Sequence, residues 1–121
     1  MAQYQPDVTD GDVERVVNRD YPPEVHDDIR ETIRGLEVRE KTRVVLACLK
    51  VANGDIKKLK GELGDASGYY REIISNAEYP NYTRVMFRID RLPPEEKERI
   101  FEKDKAQYLE WLHRETRKEG S

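Results

Sequence analysis

The sequence predicts an all-α protein: a small orthogonal, bundle-like helical domain that ends in a long C-terminal helix. Apolar residues recur at spacings of three and four, the period of a helix with one buried face. Charged residues make up 39% of the chain, well above the roughly 25% of ordinary globular proteins, and amphipathic helices expose the wide polar faces that this demands. No segment alternates polar and apolar, and Asn53-Gly54 leads into a lysine-rich stretch rather than a second strand, so no hairpin is expected.

Residues 1–8 have no period and are expected to be flexible. Thr9 is placed to cap a first helix with Val13, Val16 and Val17 on one side, which Tyr21-Pro22-Pro23 then breaks. A second helix is expected near Pro23, where proline fits a first turn and Glu24, Asp27 and Asp28 suit the positive end of the helix dipole. Its stripe is Val25, Ile29, Ile33 and Leu36, and Gly35 marks its end. A third, central helix is predicted over residues 38–53, stopped at Gly54 in a left-handed conformation, with Asp55 capping the next.

The same punctuation at Gly64-Asp65 predicts a break there. Ala66, Tyr69, Tyr70, Ile73, Ile74 and Ala77 follow as the cleanest stripe in the chain, with Tyr69 and Tyr70 assigned to the core. Pro80 ends that helix. A further helix carries Tyr82, Val85, Met86, Ile89 and Leu92, and a long charged one covers about residues 95–118. Its apolar positions are interrupted by charges at 102–105, which allows two local contacts but no extended coiled coil. The organisation expected is a helical core over 9–80, C-terminal helices over 81–118 packing on that core or on a second subunit, and a flexible 119–121.

A chain of 121 residues can bury one modest core. Its net charge of −3 gives no global attraction for phosphate backbones or anionic lipid, although residues 1–40 are acid-rich and 41–64 base-rich. The longest apolar run, Val44 to Leu49, is far short of the roughly 20 residues that span a bilayer, so no membrane association is expected. The start of the chain lacks a secretory pattern, and Cys48 stands alone, so a cytoplasmic location is expected.

Residue types that carry chemistry are sparse. Mid-helix burial would raise the Cys48 pKa and suppress its thiolate. His26 and His113 are not in a metal-ligand spacing, and the acidic face Glu24, Asp27, Asp28 and Glu31 lacks the loop carbonyls of a cation cage. Gly61, Gly64 and Gly68 follow no strand and precede no Gly-Lys-Ser/Thr, so they make no phosphate loop. No nucleophile-base-acid motif can be assembled, and neither an enzyme nor a cofactor is expected.

A helix-turn-helix over Asp55–Ala77 is the nucleic-acid alternative, with Gly64 as the turn and Lys57, Lys58, Lys60 and Arg71 as contacts. Lys60 and Asp65 stand where that motif wants small and apolar residues. The would-be recognition helix, residues 65–79, opposes Arg71 with Asp65, Glu72 and Glu78, which makes nucleic acid the weaker expectation.

The stretch from Arg43 to Lys60, with Tyr70-Arg71-Glu72-Ile73-Ile74 and Ala77-Glu78-Tyr79-Pro80, resembles a group of short bacterial proteins that have no assigned activity. The shared pattern is LK-A-NGD-KL, then YR-I, then AEYP, across about residues 24–80. The resemblance implies a bacterial, cytosolic helical domain and transfers no metal, cofactor or catalytic residue. The leading expectation is a non-enzymatic protein-protein interaction domain, a possible homodimer, with Tyr79, Tyr82, Trp111 and Leu112 as its surface.

Overall fold

The computed structural model describes residues 5–116; the expected flexibility of residues 1–4 and 119–121, and the helical assignment of 117–118, fall outside them. The described residues form six α-helices and two 3-10 segments without a strand, so the all-α class holds. Helix α1 (Asp10–Asp20) starts at Thr9, as predicted. The Asp12 amide donates to the Thr9 hydroxyl oxygen at 3.2 Å, and the Thr9 amide donates to the Asp12 carboxylate at 3.0 Å, a reciprocal pair that satisfies two otherwise orphaned amides. A 3-10 turn (Pro23–Val25) then leads into α2 (His26–Arg34).

Helix α3 (Lys41–Ala52) begins three residues later than the apolar pattern predicts. Glu40 before it has a φ of 50°, a left-handed backbone that cannot belong to the helix. All six residues from Val44 to Leu49 are buried. Apolar contact on every side, rather than on one stripe, is what makes α3 the hub around which the rest packs.

Asn53 and Gly54 both take left-handed backbone, at φ 48° and 86°, and the Asp55 carboxylate accepts from the Lys58 amide at 3.1 Å. That stop and start are as expected; the second one is not. Helix α4 runs from Ile56 to Glu78 straight through Gly64-Asp65, and its non-helical residue is Tyr69, at φ −126° and ψ 27°. Leu59, Leu63 and Ala66 are all buried and share one helical face across Gly64. Packing on that face overrides the weak local preference of glycine. Tyr69 is 61% exposed rather than in the core.

After Tyr79 come α5 (Pro80–Val85), a 3-10 segment (Met86–Arg91) and α6 (Pro94–His113). The single helix expected to reach Leu92 is therefore an α-turn relaxing into 3-10 pitch. None of residues 86–91 is buried, so no packing holds them to α geometry. Helix α6 lies back on its own chain, and Tyr108, Trp111 and Leu112 join the apolar cluster of α1, α3 and α4. The core thus extends across the expected boundary at residue 80.

No described residue between Tyr79 and Tyr108 belongs to that cluster. Helix α5, the 3-10 segment and the first half of α6 form a satellite lobe, joined internally by the rings of Tyr82 and Phe101 at 5.7 Å.

Candidate functional site

Three buried carboxylates join the pieces, each at a helix end. Asp104 of α6 caps α5, accepting from the Asn81 amide at 2.8 Å, the Asn81 side chain at 2.9 Å and the Tyr82 amide at 3.0 Å. Glu78 accepts two bonds from Arg43 of α3, at 2.8 and 2.6 Å, and Arg43 also donates to the Tyr79 hydroxyl at 3.0 Å. Asp20 takes a two-pronged contact from Arg19, 2.8 Å on each arm, and a longer one from Arg114 at 3.4 Å.

The end of α6 is held by the arginines of α1. Arg15 donates to the Leu112 carbonyl at 2.6 Å, while Arg19 donates to those of Trp111 at 2.9 Å and Arg114 at 2.9 Å. Arg19 also lies 5.5 Å from the centre of the Trp111 ring. Cations at the negative end of a helix, bonded to its unpaired carbonyls, fasten α6 to its own core.

These contacts redistribute the residues expected to form an interaction surface. Trp111 and Leu112 are 6% and 2% exposed, so they are core anchors and present no surface that a protein partner could cover. Tyr79 is half-buried against Arg43, and burial pushes its phenol up to about 12. Tyr82 lines an open groove on the satellite lobe.

The basic set is equally dispersed. Lys57 and Lys58 are exposed, Lys60 is paired with Asp28 of α2, and Arg71 lies over the Tyr70 ring at 5.7 Å. Because α4 continues through Gly64, the turn required by the helix-turn-helix alternative is not where that alternative needs it. Of the acidic face on α2, Asp27 pairs with Arg30, Asp28 with Lys60 and Glu31 with Arg34.

What sequence reasoning missed lies on the satellite lobe. Phe87 is 95% exposed and Met86 43%, forming an apolar knob. Beside it is a groove of about 430 Å³ walled by Tyr82, Ile89, Pro94 and Phe101, with Asp90, Lys97 and Glu98 also lining it. The knob carries basic neighbours, Arg84, Arg88 and Arg91, all exposed. The available signal was Met86-Phe87 standing between Arg84 and Arg88, of which the helical period absorbed Met86 into a stripe and left Phe87 off it.

The chain matches no known family model, curated protein or solved structure. Its function therefore has to be read from its own side chains.

Two of those with intrinsic reactivity, His26 and Cys48, are occupied or sealed. The His26 ring nitrogen lies 2.6 Å from the Tyr21 carbonyl oxygen. Cys48 is fully buried, and burial pushes its thiol from 9.0 up to about 12. At about pH 8 a thiol reagent should modify Cys48 only as fast as the protein unfolds; labelling at the rate of a free thiol would contradict this. Since the folded value is raised, the stabilisation is complete below 9.0 and is lost as pH rises towards about 12.

Proposed function

We propose that this protein is a non-enzymatic interaction domain of the bacterial cytosol that pairs with a second copy of itself through the satellite lobe. The observation that carries the reading is Phe87, a large apolar side chain left almost wholly in water beside a groove of matching chemistry. Such a residue has no role in the stability of its own chain, and aromatic side chains of this kind anchor protein interfaces.

A second copy fits best because knob and groove lie on the same lobe, so a two-fold axis would satisfy both at once. Charge supports the same pairing: Arg84, Arg88 and Arg91 flank the knob, whereas Asp90 and Glu98 outnumber Lys97 in the lining of the groove. The bacterial cytosolic setting rests on the LK-A-NGD-KL and AEYP resemblance. The sealed thiol and engaged His26 weigh for a binding role over a catalytic one.

Light scattering on the purified protein should give a dimer mass, and Phe87→Asp should give a monomer. Because Phe87 is solvent-exposed, its substitution should shift stability by no more than about 0.5 kcal/mol. A wild-type protein that is monomeric at about 100 µM would remove self-pairing, since an affinity that weak lies below about 6 kcal/mol.

A further inference from the structure

A second concavity, of about 550 Å³, lies where the end of α3 meets the end of α6. Lys50 and Asn53 of α3 wall one side, and Gln107, Glu110, Trp111 and Arg114 the other. The donors here outnumber the acceptors. The Trp111 indole N–H and the Arg114 Nε–H are both buried without a hydrogen-bond partner among the described residues. Two such groups on one wall are unusual, because a buried donor left unpaired costs about 1–3 kcal/mol.

The charge is unbalanced in the same direction. Arg19 and Arg114 share the single carboxylate of Asp20. Lys50 is half-buried at the last turn of α3 and takes part in none of the ion pairs among the described residues. Burial, and then the like charge of Arg114, pull the Lys50 ammonium below its usual range, against an opposing pull from Asp104. The acid on this wall, Glu110, is exposed.

We propose that this cleft binds a small organic carboxylate, whose oxygens accept from the Trp111 indole and Arg114 Nε while its charge neutralises Lys50. One cation in excess calls for a monoanion, and the half-apolar wall around the indole suits a short hydrocarbon body better than a second charge. The site is independent of the Phe87 lobe.

Trp111 is the sole tryptophan, so its emission reports directly on the cleft. The full chain would be titrated with butyrate, with inorganic phosphate and with sodium chloride at matched ionic strength. Butyrate should give a saturable change that chloride does not reproduce. Lys50→Met should weaken it by about tenfold or more, the equivalent of one charged hydrogen bond. Glu110→Gln, an exposed position, should tighten it. Emission that follows ionic strength alone, saturation by phosphate below the butyrate concentration, or wild-type binding by both variants would overturn the proposal.

Discussion

Glu78→Ala should destabilise the protein by about 3–5 kcal/mol, the cost of leaving a buried charge without its partner. Arg43 is 11% exposed at the side chain and Glu78 2%, so removing the carboxylate leaves a guanidinium that water reaches poorly with only the longer, exposed ion pair to Glu40 at 3.5 Å. Both Arg43 bonds to Glu78 are short and charge-assisted. The test is a urea titration followed by circular dichroism, with the double variant Arg43→Met, Glu78→Leu beside the single one. Two apolar side chains of similar volume should restore most of the loss. A single variant that costs under about 1 kcal/mol would mean that the pair is solvated in solution.

Trp111→Ala should cost a comparable amount, about 3–5 kcal/mol, by opening a cavity between α6, α1 and α3. The side chain is almost fully buried, packs on Tyr108 at 5.6 Å between ring centres, and takes Arg19 on its face. Thermal unfolding followed by dichroism would measure this. The sequence alone assigns Trp111 to an interface, which predicts an intact fold and a lost assembly. A variant that keeps wild-type stability but changes mass would restore that assignment and sink the cis docking of α6.

The two changes show where periodicity reads the chain well and where it fails. Val13, Val16 and Val17 lie on one face, and Asp20, seven residues after Val13, continues it; Asp104 likewise continues the face of Tyr108, Trp111 and Leu112. A hydropathy pattern treats the acids as interruptions. In the fold they are buried at those positions because an arginine or a set of helix-end amides meets them there. The apparent gap at 102–105 is thus part of the inward face of α6. For Asp104 the available signal was an acid four residues before Tyr108 on one helical face, ambiguous without its partners; those of Glu78 and Asp104 lie more than 20 residues away, whereas Arg19 stands beside Asp20.

The candidate surface was legible only in part. Tyr82 was singled out and does line the groove, whereas Phe87 fell outside the Tyr82, Val85, Met86, Ile89 and Leu92 stripe and was passed over, and Trp111 looked like a free residue. Exposure depends on which helix returns to the core, and α6 returns through its last turn while the 3-10 segment before it does not.

The sequence by itself determined the helical class, the Thr9 and Asp55 caps, the left-handed stop at Gly54 and the burial of α3, because these depend on neighbours within one or two turns. Tertiary structure alone decided that α4 passes through Gly64, that Asp20, Glu78 and Asp104 are buried, and that Trp111 faces inward while Phe87 faces water. Those outcomes turn on the free energy of contacts between distant segments, and an intrinsic preference of about 1 kcal/mol, such as that of glycine against a helix, yields wherever such contacts are made.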